Sequence, residues 1–317
     1  MKYFVVSDIH SFALELRNAL KDAGFDKKNP NHTLIVVGDV FDRGPDTVGV
    51  YKFLSSIPKK RCILVRGNHE LLFFELMSKN FPENHDFSNH TVDTFCQIAG
   101  YSMDIFETGY WAKLGVDDPY SRIVEEWLQV KKLVKESEIY KWLQSSQWVN
   151  YYELDKYLFV HSFIPLTNVA GVPGYYCKPN FFEYRPTWRE DATDTEWYDS
   201  MWGCPYALFQ HGLFDEEAKQ GKVLVCGHWH TSDFRTNLLE QPNKNTNIFF
   251  SDNLIALDCG VWWLYGSYFH PQNVLVIDED GKCYDQNKRE LKNEWIIVET
   301  VPYEMLTEEN KDKVWKD

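Results

Sequence analysis

No run of about 18 apolar residues occurs in the 317-residue sequence, so no transmembrane helix is expected. Basic residues are in deficit. The 33 Lys+Arg against 47 Asp+Glu leave a net charge of −14, a poor match to duplex nucleic acid, whose phosphates call for basic surface. The same acid excess is what carboxylates committed to metals would produce. The seven cysteines (62, 96, 177, 204, 226, 259 and 283) include no C-x-x-C pair and are odd in number and widely spaced. A disulfide framework is not expected, and several sit in apolar runs as small buried residues. The opening stretch from Met1 reaches Asp8 after only four apolar residues, too few for the core of a signal peptide. These absences predict a reduced, cytoplasmic protein with no membrane or duplex nucleic-acid partner. Nothing in the sequence bears on oligomeric state.

What is present is ordinary globular composition, 44% hydrophobic and 25% charged, in a chain long enough to bury a sizeable core. Aromatic content is high, at 16%. The first third alternates strand and helix signals: apolar runs at 3–7, 33–37 and 62–65, with helical spacing over 12–23 and 46–56 between them. This βαβαβ order predicts a parallel sheet covered by helices. Residues 71–148 read as mostly helical, best over 71–79 and 118–144, with a polar, ambiguous stretch at 84–100. A strand at 157–160 precedes a loop-rich, aromatic stretch over 165–213. Strand signals return at 223–226, 254–257, 273–277 and 295–298, and the charged tail at 307–317 reads as surface. No internal repeat or low-complexity segment is found.

The strands end in chemistry. The first runs into Asp8-Ile9-His10, the second into Gly38-Asp39-Val40-Phe41-Asp42-Arg43-Gly44, and the third into Gly67-Asn68-His69-Glu70. The strand at 157–160 runs into His161, and that at 223–226 into Gly227-His228-Trp229-His230. In open α/β sheets, ligands bind beyond the carboxyl ends of strands. Taken singly, each element is ordinary: Gly-Asp is a turn or helix cap, and a lone His is more often structural than a ligand. Their conjunction at five strand ends makes a cluster suited to divalent metals.

The ordered set resembles the calcineurin-like metallophosphoesterase superfamily. Its Gly38-Asp39-x-x-Asp42-Arg43-Gly44 and Gly67-Asn68-His69-Glu70 blocks are similar to the phosphoprotein phosphatase branch, which includes Ser/Thr protein phosphatases and bacterial diadenosine tetraphosphatases. Trp188-Arg189 and Leu257-Asp258-Cys259-Gly260 resemble later stretches of that branch. The resemblance implies a single domain of α/β class: two mixed β-sheets in a sandwich flanked by helices, with a helical cap over about 71–150 and an aromatic insertion over about 165–213. It also implies two divalent ions, manganese first with iron or zinc as alternatives. Asp8, His10 and Asp39 would hold one; Asp39, Asn68, His161 and His228 the other. His69 would be the general acid, oriented by Asp42, and Arg43 and Arg189 would grip phosphate beside Asn68, with Arg185 competing for the role of Arg189. The reaction implied is phosphomonoester hydrolysis by direct attack of a metal-bridging hydroxide on a phosphoprotein or small molecule. Hydrolysis of dinucleoside polyphosphates is the alternative, and a non-catalytic metal scaffold a third.

Three departures stand out. Ser11 replaces the usual glycine after the D-x-H pair. Ser162-Phe163 after His161 is bulkier than the usual small pair. Gly227-His228-Trp229-His230 matches the G-H-x-H of the wider superfamily, which makes His230 a further candidate ligand. His32, His85, His90, His211 and His270 lie outside the motifs and read as surface. The aromatics Tyr175, Tyr176, Phe181, Phe182, Tyr184, Trp197, Tyr198 and Trp202 read as packing, or as a wall for stacking a substrate ring.

Overall fold

Alternate residues of the central strands are apolar on both faces, which a sheet tolerates only when it is covered on both sides. The computed structural model, which describes residues 1–145, 147–171, 177–240, 244–261 and 272–294, has that layering. Tyr175, Tyr176, His270, the strand expected at 295–298 and the charged tail lie outside the described residues. The first sheet is built on parallel strands β1 (Lys2–Val6), β2 (His32–Val37), β3 (Cys62–Val65) and β4 (Trp148–Val149). The second contains β5 (Tyr152–Leu154), β6 (Tyr157–Phe159), β9 (Val223–Cys226), β10 (Phe249–Phe250) and β11 (Leu254–Ala256), in the order β10-β11-β9-β6-β5. Strands β7 (Leu166–Asn168) and β8 (Phe182–Tyr184) form a separate hairpin. Strands β12 (Leu275–Ile277) and β13 (Cys283–Tyr284) complete the first sheet, with β12 antiparallel to β1.

Val5, Ile35, Val37 and Val65 meet Phe159, Val225, Ile255 and Leu257 between the sheets. The opposite residues of the first sheet, Phe4, Val6, Leu34, Val36 and Leu64, pack under helices. Helices Ala13–Ala23 and Thr47–Ser55 share that layer with helices of the 71–150 region, through Phe95, Trp127 and Val130, so this region continues the helical layer and shares its core. The polar stretch at 84–100 is helical, as Asn84–Ser88 and Thr91–Ala99. The helix expected over 118–144 breaks at Ser137, whose side chain caps the second piece by accepting the Tyr140 N–H. No helix among the described residues is long and apolar enough to cross a membrane. All seven cysteines are free, and only Cys177 is exposed.

The 165–213 stretch holds the hairpin and short helices, among them Trp188–Asp191, on the outer face of the second sheet. This corrects the expectation for Arg189. Its Nη1 and Nη2 donate to Glu217 at 2.8 and 2.7 Å, and its Nε donates to Glu153 at 2.7 Å. The guanidinium also covers the Trp188 ring, 4.2 Å from its centroid. Glu153 lies in β5 and takes Lys222 Nζ at 2.8 Å, just before the start of β9 and so at the end of that strand opposite His228. Trp188 is fully buried and donates its indole N–H to Glu217 at 2.9 Å. Arg189 therefore neutralises a buried carboxylate on the outer face, a position that speaks against a phosphate role. Arg185 is equally committed, to Asp191 and Glu196.

Removing one partner of a buried pair strands the other charge, so Arg189→Ala should cost about 3 kcal/mol of stability in urea unfolding. Turnover per folded molecule should stay within about threefold. A large loss of kcat/KM at unchanged stability would return the phosphate role to Arg189.

Candidate active site

The strand-end residues meet on one rim of the sandwich, and the backbone there is unusual. Eleven non-glycine residues among those described have positive φ, and seven of them are Asp8, His10, Ser11, Asp39, Asp42, Arg43 and His228. Left-handed backbone is costly for residues with a Cβ and persists where surrounding structure enforces it. Part of the enforcement runs between the loops after β1 and β2: His10 N–H donates to Asp39 O at 3.0 Å and Ser11 N–H to Val40 O at 2.9 Å. Ser11, in the position expected for glycine, keeps φ at 61° and ties its hydroxyl to Thr47 Oγ1 at 2.8 Å. The rest comes from Glu70, a buried carboxylate with no role assigned from sequence. It accepts the N–H groups of Asp39 (3.1 Å), Val40 (2.9 Å) and Gly67 (2.8 Å), joining two loops. Burial and then the neighbouring Asp39 push its pKa up to about 7.

Two glycines give the carboxylates room. A Cβ on Gly67 would lie 2.2 Å from Asp39 Oδ1, and one on Gly227 would lie 2.0 Å from Asp8 Oδ2.

Asp39 is the shared member of two groups. One ligand atom each from His10, Asp39 and His69 lie within 4.8 Å of one another, and the same holds for Asp39, His161 and His228. Burial alone would raise the Asp39 carboxyl, but His161, His69 and His10 outweigh it and hold it well below the usual carboxylate range. His161 is pulled the other way, up to about 10, because Asp39 overcomes its burial. His10 and His228 are driven well below the usual imidazole range, first by burial.

The donor set fits metal ions on two counts. Nδ1 of His10 lies 3.0 Å from Phe41 O, and Nδ1 of His161 lies 3.0 Å from Val37 O. Pairing Nδ1–H with a carbonyl turns Nε2 toward Asp39, the nitrogen that would bind a metal once any proton on it has left. His161 Nε2 also lies 2.9 Å from Asn68 Oδ1 and 3.3 Å from Asp39 Oδ1. Three acceptor atoms aimed at one point need a cation or a proton between them. Asp8 stands beside these groups, its carboxylate accepting the His228 N–H at 3.0 and 3.1 Å, and burial followed by Asp258 raises its pKa well above the usual range. His230 falls outside both groups, 3.9 Å from Asp258 Oδ2 and 3.8 Å from Asp233 Oδ2. It helps line a cavity of about 450 Å³ with His228, Trp229, Ser232 and Asp233.

His69 and Asp42 form a buried pair: the Nδ1–H of His69 donates to Asp42 Oδ2 at 2.7 Å. Nε2 then carries the lone pair, accepting from Arg43 Nη2 at 3.1 Å. Asp42 also accepts from Thr91 and Thr94, and Gln97 bonds the nearby backbone at Thr47 and Gly44. None of these three was singled out in the sequence. Their signal was available as polar residues at helical spacing in an otherwise ambiguous stretch.

Residues 1–232 match the model of the calcineurin-like phosphoesterase family. Over 88 residues the chain is 34% identical to a symmetrical bis(5'-nucleosyl)-tetraphosphatase of Buchnera aphidicola, covering 27% of this chain and 31% of that protein. Over 101 residues it is 29% identical to the asymmetrical bis(5'-nucleosyl)-tetraphosphatase PrpE of Oceanobacillus iheyensis, covering 29% of this chain and 40% of that protein. The matches thus span a third or so of these relatives. In overall fold the chain is similar to the cold-active protein-tyrosine phosphatase of a psychrophilic Shewanella species, with a TM-score of 0.52 over 92% of this chain and 79% of that one, at 13% identity. With the family model covering most of the sequence and the shared carboxylate Asp39 at the centre of its site, the chain belongs to the calcineurin-like phosphoesterases, hydrolases of phosphoester bonds that work at a dinuclear divalent metal centre.

Proposed function

We propose that this protein hydrolyses phosphomonoesters of small molecules or phosphoproteins, with His69 as the general acid. The observation that carries the reading is the Asp42–His69 pair set directly against Asp39, the carboxylate common to both groups of ligand atoms. Asp8, His10 and Asp39 would hold one divalent ion, with His230 as a further candidate ligand. Asp39, Asn68, His161 and His228 would hold the other. Mixed oxygen and nitrogen donors suit manganese, with iron or zinc as alternatives. When bound, two such ions supply Lewis acidity toward phosphoryl oxygens and acidify a water. Asp42 fixes the His69 ring by taking Nδ1–H; to act as the acid, Nε2 would take up a proton in place of the Arg43 hydrogen bond and pass it to the leaving oxygen of the substrate. Arg43, beside Nε2, offers a planar fork suited to two phosphoryl oxygens. Of the arginines considered from sequence, Arg43 alone serves this reading.

A second reading, hydrolysis of dinucleoside polyphosphates, is favoured by the named relatives and by the aromatic rings at the site. Trp202 packs edge-on to His228, with centroids 5.9 Å apart, and Trp229 lines the adjoining cavity. Asp233 in that cavity wall weighs against a tetraphosphate chain, and Arg189 is spent on Glu217 at the outer face.

The deciding measurement compares kcat/KM for phenyl phosphate, a phosphopeptide and diadenosine tetraphosphate with added manganese. The monoesters are expected to be turned over faster, and a clear preference for the tetraphosphate would select the second reading. His69→Ala should lower kcat on phenyl phosphate by about a hundredfold. A change under about threefold would remove His69 from the acid role. Asp39→Asn should reduce metal content after manganese loading from two equivalents per chain to less than one, by elemental analysis. Retention of both ions would show that Asp39 is not shared.

A further inference from the structure

Helix Thr91–Ala99 presents three polar side chains at positions 91, 94 and 97, spacing that places them along one face. All three reach the segment around Asp42, from Asp42 to Thr47. Thr94 Oγ1 is 2.6 Å from Asp42 Oδ1 and also accepts the Asp42 backbone N–H at 3.0 Å. The hydroxyl accepts from that N–H and gives its single proton to the carboxylate oxygen, which can only accept. Thr91 donates to Asp42 Oδ2 at 2.8 Å, on the same oxygen that takes His69 Nδ1–H at 2.7 Å. Gln97 closes the far end of the loop, accepting the Thr47 N–H at 2.8 Å and donating to Gly44 O at 2.9 Å. Thr91, Thr94 and Asp42 are all buried. The other side of the helix is locked into the helical layer by Val92, Phe95 and Cys96, with Phe95 stacked on Trp127 at 5.6 Å.

We propose that Thr91 and Thr94 are positioning residues for the general acid, and that this helix sets the aim of His69 through Asp42. The proposal rests on the acid role argued above for His69. A buried carboxylate with two hydroxyl donors fixed by a packed helix cannot rotate, so the imidazole bonded to it keeps its ring plane. Without the hydroxyls Asp42 can turn about its Cβ–Cγ bond, and a misaligned acid loses rate steeply. The defect should follow the need for a proton. An ester with a poor leaving group depends on the acid, and one with a good leaving group depends on it less.

The test measures kcat and KM of the manganese-loaded full chain on phenyl phosphate and on p-nitrophenyl phosphate for Thr94→Val, Thr94→Ser, Thr91→Ala and His69→Ala. Thr94→Val is expected to lower kcat on phenyl phosphate by about tenfold, with a smaller loss on p-nitrophenyl phosphate and KM unchanged. Thr94→Ser, which keeps the hydroxyl, should restore the rate. Thr91→Ala should show the same leaving-group selectivity in weaker form, and serves alone if Thr94→Val does not fold. Equal losses on both esters, a change confined to KM, or no rescue by serine would overturn the proposal and leave the threonines as packing. If His69→Ala itself shows no leaving-group selectivity, the acid role fails first and the positioning role with it. If His69→Ala is selective while both threonine variants are indifferent, only the positioning role fails.

Discussion

Everything at the rim turns on one buried carboxylate surrounded by imidazoles. Asp39 sits among His10, His69 and His161, which outweigh the cost of burying its charge. None of those rings could be moved far without stranding a charge in a medium where an unpaired ion is expensive. The strands converge on Asp39 from both sheets, so the attraction also ties the two halves of the sandwich together at this rim. His161 makes the tie literal: it belongs to the second sheet, donates Nδ1–H to Val37 O of the first, and faces Asp39 with its other nitrogen.

Around that centre, carboxylates act as scaffolding for backbone as much as for charge. Glu70 gathers N–H groups from the loops after β2 and β3, and Asp8 takes the N–H of His228. Asp42 is gathered in turn by hydroxyls of a helix some fifty residues on in the chain. Many of the acidic residues remain on the surface, but the acids at the rim organise loops no regular hydrogen-bond ladder could hold.

The parallel strands and the residues at their ends were legible from sequence, because an apolar run followed by Gly-Asp or Gly-Asn-His is a local pattern. The residues themselves gave a parallel sheet covered by helices; the second sheet of the sandwich was implied only by the family resemblance. The surroundings of Arg189 were not legible for a physical reason: its expected role rested on a two-residue resemblance, Trp188-Arg189, whereas its partners Glu153 and Glu217 lie 36 and 28 residues away. The same limit hid Glu70, which stands inside a motif yet acts on backbone atoms, and hid Thr91, Thr94 and Gln97, whose polarity made their stretch ambiguous. A helix that turns a polar face inward toward a carboxylate carries no apolar stripe on that side, so hydrophobic periodicity underrates it.

The left-handed residues have a further consequence. At roughly 1 kcal/mol each, seven of them store about 7 kcal/mol, a sum comparable with the net stability of a whole domain. That energy is concentrated in a few loops, while the sheets beneath hold the apolar contacts. That strain lowers the cost of opening the rim above an intact sandwich, an opening that the burial and hydrogen bonds of Asp39, Asp42 and Glu70 oppose. Relaxing the loops with glycine would disfavour that opening at the expense of the carbonyl and carboxylate directions that the strain maintains.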